Sequence, residues 1–214
     1  MFYEDDLEDA LRLGDVVRGY ISTKPFLKEP FISSLSAGYT YKVDIELPEY
    51  SVVLTPCCSI ENARLSLTPL IPVRSSFFRN PYLEEDLTRI NRIMKAEESM
   101  PPDDWKELTD EVKSERDAEG LSYAVPPLFV YDENDLFKSY TLRSRTLRYY
   151  MIDFSNTYTI SCPLIKRSEV VTKQETAIIN SKVLQLSIRT RAELREKLSW
   201  YYFRPPKEDM IVED

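Results

Sequence analysis

Residues 41–47 read Tyr-Lys-Val-Asp-Ile-Glu-Leu, and this stretch decides the fold class of the chain. Apolar and charged side chains alternate at every position, so each kind lies on one face of an extended backbone. The pattern predicts a strand with Val43 and Ile45 in the core and with Lys42 and Glu46 in water. Half-buried strands of this kind are typical of antiparallel sheets.

Further strand patterns lie on both sides of this stretch. They share short runs of apolar or β-branched residues bounded by turn residues. In chain order they are Asp15–Ile21, Ser51–Thr55, Leu65–Ile71, Pro127–Tyr131, Leu147–Phe154 and Thr157–Ile160. Several short strands at close spacing predict an antiparallel sheet that curls into a small barrel.

A helical period separates the strands into two groups. After a capping Asn80 and Pro81, apolar residues recur at helical spacing and predict one buried face: Leu83, Leu87, Ile90 and Met94. Pro101 and Pro102 end this pattern. A second predicted helix then ends near Gly120 and carries three apolar residues on one side: Trp105, Leu108 and Val112.

The last predicted element is a helix that begins at a capping box, Thr190 with Glu193. It buries Leu194, Leu198 and Tyr201 and stops at Pro205-Pro206. The sequence therefore predicts an α+β protein with a small SH3-like antiparallel β-barrel, a helical insertion and a C-terminal helix. We expect one elaborated domain over 1–214, with barrel strands in 15–75, the insertion in 80–120, and further strands and the closing helix in 126–205.

The 214-residue chain contains no histidine. This excludes imidazole-based triads, histidine-ligated metals and histidine general bases. The 4 glycines cannot form a phosphate-binding GxxxxGK[ST] loop or a dinucleotide-binding GxGxxG loop. We therefore expect no cofactor and no metal ion, and an enzyme would have to rely on Arg, Thr, Ser, Tyr and carboxylates.

Cysteine usage and hydropathy indicate the compartment. Cys57 and Cys58 are adjacent and Cys162 is distant, so no CxxC pair exists, and the odd count suits a reducing environment. No apolar run approaches the ~20 residues of a membrane helix, and the N-terminus is acidic where a signal peptide would be basic. The sequence predicts a cytoplasmic protein with no membrane partner.

The net charge of −8 is unevenly distributed. Residues 139–206 hold 12 Lys or Arg against 5 Asp or Glu, a net of +7, which leaves 16 against 31 elsewhere. Arg145 and Arg148 are the candidate binding residues of this basic C-terminal third, where nucleic acid is an alternative partner, because clustered cations bind phosphates. The other interpretation, which we favour, is that these arginines pair with acidic segments of the same fold.

A cysteine-bearing turn between two apolar strands is the other candidate site. Cys58, Ser59, Glu61 and Asn62 are its candidate binding residues, since loops between rigid strands present ligand contacts. Plain turn chemistry, with Ser59 and Asn62 bonded to local backbone, explains the same residues without a ligand.

The stretch Val52-Val-Leu-Thr-Pro-Cys-Cys-Ser-Ile-Glu-Asn62, with Gly14–Val17 before it and Leu65–Ile71 after it, resembles two families. The weaker resemblance is to MazF/PemK-type toxin ribonucleases, in which a Gly-Asp-Ile/Val strand precedes an apolar strand and a polar loop. This chain departs from their pattern, with Tyr50-Ser51 in place of Arg-Pro and Ile71 in place of Thr.

The stronger resemblance is to an uncharacterised prokaryotic family of small barrel proteins. Its signature is an apolar strand that leads into a Cys-acid-Ile-acid/Asn turn. The resemblance extends over most of the chain, through Ile152–Phe154, Leu184–Ser187 and Arg191–Arg204. It implies a small barrel and brings no established activity.

These observations predict a non-catalytic, cytosolic binding or adaptor protein with a protein partner, in a bacterial defence (phage defence) or toxin-associated system. No catalytic residue is assigned under this interpretation. The alternative is a histidine-free MazF-like endoribonuclease. In that case Arg18 and Thr55 are the candidate catalytic residues, an arginine and a hydroxyl that bind the scissile phosphate. Without catalysis, Arg18 is a surface strand residue and Thr55 forms a strand-end hydrogen bond.

Overall fold

The computed structural model describes residues 1–8, 10–18, 22–27, 41–46, 48–56, 59–60, 64–92, 94–119, 127–161 and 182–203. The strands are β1 (Val16–Val17), β2 (Ser22–Leu27), β3 (Tyr41–Glu46), β4 (Ser51–Val53), β5 (Arg64–Pro69), β6 (Ile71–Pro72), β7 (Leu128–Tyr131), β8 (Tyr140–Leu142), β9 (Arg145–Leu147), β10 (Tyr150–Asp153), β11 (Tyr158–Ser161) and β12 (Lys182–Leu184). The helices are α1 (Pro81–Glu84), α2 (Pro102–Lys106), α3 (Asp110–Glu119) and α4 (Ile188–Phe203). Turns of 3₁₀ helix lie at Ser75–Arg79, Leu87–Asn91 and Glu97–Ser99.

The described strands pair antiparallel in four sheets. A five-stranded sheet has the order β11-β5-β4-β1-β12, and a three-stranded sheet has the order β6-β10-β7. Strands β2 with β3 and β8 with β9 form two separate ribbons. The chain passes between the two larger sheets twice, where β5 continues beyond Leu70 as β6 and where β10 leads to β11. Strands that switch sheets in this way form the corners of packed sheets.

The α+β prediction is confirmed, whereas the barrel is not. Among the residues that the structure describes, β11 and β12 are the outer strands of the five-stranded sheet and do not pair with each other. The strand predicted at residues 41–47 is present as β3, paired with β2 from Tyr41↔Leu27 to Glu46↔Ser22. The predicted core and water-facing sides of β3 lie outside the described side chains.

Strand alternation divides the interior into three clusters. In β4, Val52 contacts a central core between the two larger sheets, and Val53 contacts a smaller cluster on the outer face of the five-stranded sheet. In β7, Phe129 lies in the central core while Val130 faces the helical insertion. Because successive side chains of a strand point to opposite faces, both larger sheets contribute buried residues on each of their two faces.

The predicted strand Leu147–Phe154 is divided in the structure. Residues Arg145–Leu147 form β9 and Tyr150–Asp153 form β10.

Strands β8 and β9 are joined by Arg143 and Ser144, whose φ angles are 47° and 64°. Two residues with positive φ form the turn that matches the twist of a hairpin, but Asn or Gly usually marks it. The sequence lacked that signal.

The insertion is helical but broken into short pieces. The predicted continuous helix after Pro81 stops at Glu84, because the Asp86 side chain accepts a hydrogen bond from the Thr88 backbone N–H at 2.9 Å and starts a new turn. The predicted apolar face is nevertheless buried in one cluster, against the outer face of the three-stranded sheet: Leu83, Leu87, Ile90 and Met94. The second predicted helix is likewise divided into α2 and α3, and Trp105, Leu108 and Val112 are only partly buried.

The C-terminal helix begins two residues before the predicted capping box. Ser187 supplies the capping oxygen, since its Oγ accepts a hydrogen bond from the Thr190 backbone N–H at 3.3 Å. Glu4 at the N-terminus accepts from the Ile188 N–H at 3.0 Å. Leu194 and Leu198 are buried as predicted, and Tyr201 packs at the edge of the core. No helix in the described ranges is long and apolar enough to cross a membrane.

One buried asparagine joins the insertion to the sheet. Asn91 Nδ2 donates to the Val130 carbonyl and Asn91 Oδ1 accepts from the Val130 N–H, both at 2.6 Å. Both groups of Val130 thus point away from β10, along the outer edge of β7. Asn91 replaces the neighbouring strand at this edge and satisfies backbone groups that would otherwise be buried without partners.

Replacing Asn91 with alanine should lower the free energy of unfolding by about 2–4 kcal/mol, because it leaves two buried backbone groups unsatisfied. Asn134→Ala is the matched control. It removes one exposed turn hydrogen bond, from the Leu136 N–H, and should cost less than about 1 kcal/mol. Urea unfolding measures both variants. Equal losses would show that Asn91 does not hold the insertion to the sheet.

Candidate functional site

A groove of about 790 Å³ opens at one end of the central core. We call it the hydroxyl groove, because most of its described lining residues carry a hydroxyl group: Thr55, Ser59, Ser66, Thr157, Thr159 and Tyr202. Leu54 and Pro56 supply its apolar part, and none of the described lining residues is charged. Its volume suits a small molecule or a short peptide segment.

Strand alternation brings these hydroxyl groups together. Leu65 and Leu67 of β5 are buried on the outer face of the five-stranded sheet, so Ser66 lies on the opposite face. Across the sheet, Thr159 is the register partner of Ser66. Ser66 and Thr159 thus line the groove from neighbouring strands.

Hydrogen bonds orient the groove's hydroxyl groups. Thr55 Oγ1 accepts from the Ser66 backbone N–H at 2.6 Å, so its own O–H remains to donate into the groove. Ser66 and Thr159 share a hydrogen bond of 3.2 Å between their hydroxyl oxygens. Thr157 donates to the Phe154 carbonyl at 2.9 Å and offers a ligand only its oxygen. The groove therefore presents both donors and acceptors without charge.

The aromatic end of α4, which we define as residues 200–203, stands beside the groove. Three of its side chains are exposed, with Trp200 at 41%, Tyr202 at 57% and Phe203 at 83% of their full surface. Tyr201 instead packs against Phe154, with ring centroids 5.6 Å apart. The sequence contained a signal for this surface, because four consecutive aromatic residues on a helix cannot all face the core.

The structure places part of the predicted turn in the groove. Ser59 is one of the lining residues and lies near Thr55 at the end of β4. The other candidate residues of the turn, Cys58, Glu61 and Asn62, lie outside the described residues. The predicted loop and the groove therefore meet at Ser59.

Arg18 and Thr55 are not brought together. Arg18 Nη2 donates to the Tyr50 hydroxyl at 2.6 Å and its guanidinium lies 4.8 Å from the Tyr50 ring centroid. Tyr50 in turn donates to the Leu136 carbonyl at 2.7 Å. Because Val17 is the register partner of Ser51, Arg18 lies beside Tyr50 at one end of β4. Thr55 follows the other end, five residues or about 16 Å away along the strand.

The two predicted binding arginines contact acids. Arg145 pairs with Glu84 of α1 at 3.2 Å, and Arg148 pairs with Asp135. The Arg148 backbone N–H also donates to Glu133 at 3.1 Å. The acids belong to the acidic segments that precede the basic third of the chain. For these two arginines, the contacts support pairing within the fold over a cationic surface.

A buried ion pair was missed by the sequence interpretation. Asp15 Oδ2 and Lys182 Nζ lie 3.2 Å apart with both side chains almost fully buried. Asp15 Oδ2 also accepts from the Arg12 backbone N–H at 2.8 Å, while Asp15 Oδ1 has no hydrogen-bond partner. Lys182 donates to the Ala10 carbonyl at 2.8 Å and to Gln185 Oε1 at 2.9 Å.

Burial raises the pKa of Asp15 to about 6, although Lys182 and the Arg12 N–H oppose this effect. A second buried lysine, Lys197 of α4, donates to the Ile90 carbonyl of the insertion. Burial lowers the pKa of Lys197 to about 7. These groups are far from solvent and hold elements of the fold together, so we assign them structural roles. No group of three metal-ligating side chains lies close enough to hold an ion within the described ranges.

Comparison of the chain with protein-family models, curated proteins and solved structures finds no match. The functional interpretation therefore rests on the chemistry of the hydroxyl groove and of the surfaces around it.

The contribution of Asp15 to stability should fall as the pH rises. Its folded-state pKa of about 6 is above the ordinary value of 3.8, so the folded protein binds more protons than the unfolded chain between these values. The free energy of unfolding of the wild type, relative to Asp15→Asn, should decrease by up to about 3 kcal/mol from pH 4 to pH 7. Urea unfolding of both proteins across this pH range measures the change. Lys197 titrates in both proteins, so its effect cancels when their free energies of unfolding are subtracted. A difference that rises with pH would contradict the assignment.

Reversing both arginines, Arg145→Glu with Arg148→Glu, should cost only about 1–2 kcal/mol, because both pairs are exposed. We expect no binding of single-stranded RNA by the wild type in fluorescence anisotropy. The charge exchange Glu84→Arg with Arg145→Glu should recover most of the stability that Arg145→Glu alone loses. RNA binding that falls steeply with salt and disappears in the double variant would instead make the basic third a nucleic-acid surface.

Proposed function

We propose that this protein is a non-catalytic binding or adaptor protein whose partner is another protein. The observation that carries the proposal is the aromatic end of α4 beside the hydroxyl groove. Aromatic residues are enriched where proteins bind one another, and contiguous exposed apolar surface marks interaction sites. Trp200, Tyr202 and Phe203 supply such a surface, and the groove next to it offers neutral hydrogen-bonding groups.

The polar contacts of the described residues support binding rather than catalysis. Nucleophilic or acid–base catalysis needs a nucleophile, a base and a charge-stabilising group within hydrogen-bond reach of one reacting atom. The described lining of the groove provides hydroxyl groups without a base or a cation beside them. Arg18 is occupied by Tyr50, on which its guanidinium lies.

The finer parts of the proposal follow from the resemblance to prokaryotic small barrel proteins. We propose a cytoplasmic component of a bacterial defence or toxin-associated system. We also keep the SH3-like barrel as the arrangement in which the β2–β3 ribbon closes against the five-stranded sheet. In such a barrel the turn after β4 would be among the loops that present ligand contacts.

The second candidate function is a MazF-like endoribonuclease, in which Arg18 and Thr55 would act on an RNA phosphate. The resemblance of Gly14–Val17 and Val52–Asn62 to the toxin family favours it. The separation of Arg18 from Thr55 along β4 disfavours it, because both groups would have to reach one phosphate.

The proposal predicts that Tyr202→Ser and Phe203→Ser each weaken binding of the native partner. The tagged chain is expressed in its own cells, and proteins that the wild type retains but these variants lose are identified by mass spectrometry. The candidate partner is then purified and titrated by calorimetry, where we expect at least ~10-fold weaker binding by each variant, or about 1.4 kcal/mol.

Ile188→Ser is the matched control. Ile188 is an apolar residue of the same helix, 77% exposed at its opposite end, and its replacement should leave binding and stability unchanged. Equal binding by Phe203→Ser, Tyr202→Ser and Ile188→Ser would overturn the proposal. Cleavage of total RNA by the wild type that Arg18→Ala eliminates would establish the ribonuclease in its place.

A further inference from the structure

Strand β11 is the outer strand of the five-stranded sheet, next to the hydroxyl groove. It pairs with β5 on one side, and no strand in the described part of the chain lies on its other side. An unpaired strand edge is a template for another extended chain. The direction of the backbone groups along this edge decides whether such a chain can bind.

The hydrogen bonds of Ser66 reveal which groups of β11 face outward. The Ser66 N–H donates to Thr55 Oγ1 at 2.6 Å, and the Ser66 carbonyl accepts from the Leu54 N–H at 2.8 Å. Both groups therefore point toward β4 and away from β11. In an antiparallel ladder the neighbouring residues point the opposite way, so Leu65 and Leu67 supply the bonds to β11.

It follows that Thr159 faces the open edge with its backbone. Thr159 is the register partner of Ser66, and the two residues form a pair that exchanges no backbone hydrogen bonds. The N–H and C=O of Thr159 therefore point away from β5. Alternation within β11 gives the same direction to Ser161. No hydrogen bond from the described residues reaches the backbone N–H or C=O of Thr159. The edge offers an extended chain a donor and an acceptor at each second residue.

The side chains of this edge face the groove. The Thr159 hydroxyl lies 3.2 Å from that of Ser66, and both Thr157 and Thr159 line the groove and are exposed. Tyr202 of α4 lines it as well. A chain paired with β11 would therefore place alternate side chains among hydroxyl groups and beside an aromatic ring. Because the described lining carries no charge, a charged side chain buried there would lose its hydration without gaining a partner.

We propose that the partner protein binds by strand addition, with an extended, uncharged segment that pairs with the outer edge of β11 and fills the hydroxyl groove. This inference rests on the proposed function and names the kind of segment that the same surface binds. Strand β11 has four residues, so pairing between two copies of it would form only a short ladder. A longer partner segment also reaches Tyr202 and the aromatic end of α4.

The test uses the full chain and a displayed library of short random peptides that lack Asp, Glu, Lys and Arg. Thr159→Pro removes the outward N–H, and proline is tolerated at an edge position whose N–H is not used in the sheet. Thr159→Val is the matched control, because it keeps the N–H and the side-chain shape. Peptides selected on the wild type should bind Thr159→Val within about twofold and Thr159→Pro at least ~10-fold more weakly.

Hydrogen exchange on the wild type gives a readout that needs no variant. Binding of a selected peptide should slow exchange of the Thr159 amide and leave that of the Ile160 amide, already bonded to β5, unchanged. Unaltered exchange at Thr159 would overturn strand addition even if Thr159→Pro failed to fold.

The outcomes separate this inference from the proposed function. Peptide binding that survives Thr159→Pro but is lost in Tyr202→Ser would overturn strand addition and leave the binding surface in place. Failure of the wild type to select any peptide would also overturn strand addition. The proposed function would still be decided by whether Phe203→Ser weakens binding of the native partner. A dimer of the wild type that Thr159→Pro abolishes would assign the edge to a second copy of the chain.

Discussion

The buried contact between Asp15 and Lys182 constrains how the N-terminal segment meets the five-stranded sheet. Asp15 lies directly before β1 and Lys182 lies in β12, and Lys182 also donates to the Ala10 carbonyl, so three segments meet at one point. Gly14 adopts φ of +87° immediately before Asp15, and a Cβ there would lie 2.5 Å from a Leu186 methyl group. Removing two charges from water is costly, and Asp15 Oδ1 has no hydrogen-bond partner among the described residues. Because Gly14 has no side chain, the chain can approach Leu186 closely just before this contact.

A second constraint joins the insertion to the rest of the molecule. The part of the insertion that packs on the sheet consists of α1 and short 3₁₀ turns. Polar side chains join this part to its neighbours, with Asn91 on the edge of β7 and Lys197 of α4 on the Ile90 carbonyl. The insertion thereby covers one edge of the three-stranded sheet. At the outer edge of β11, by contrast, no strand of the described part of the chain lies beside the backbone.

Four basic residues of the described C-terminal third make contacts inside the fold. The acidic total and the basic last third suggested either a nucleic-acid surface or internal pairing, and sequence could not decide between them. Arg145 and Arg148 contact acids of earlier segments, while Lys182 and Lys197 are buried. The groove, in contrast, is neutral in its described lining. This groove lies between the aromatic end of α4 and the edge of β11.

The sequence by itself determined the α+β class, most strands, and the buried apolar residues of the first insertion helix and the C-terminal helix, since these depend on local periods of two and 3.6 residues. The sequence also predicted a site at the turn after β4, and Ser59 of that turn lines the groove. Tertiary structure alone decided the rest. The pairing of Asp15 with Lys182 joins positions 167 residues apart, and the separation of Arg18 from Thr55 follows from strand register. The break at Asp86 and the β8–β9 turn at Arg143-Ser144 depend on one side-chain hydrogen bond and one turn geometry. Neither contacts between distant segments nor the register of strands leaves a periodic signal in the chain.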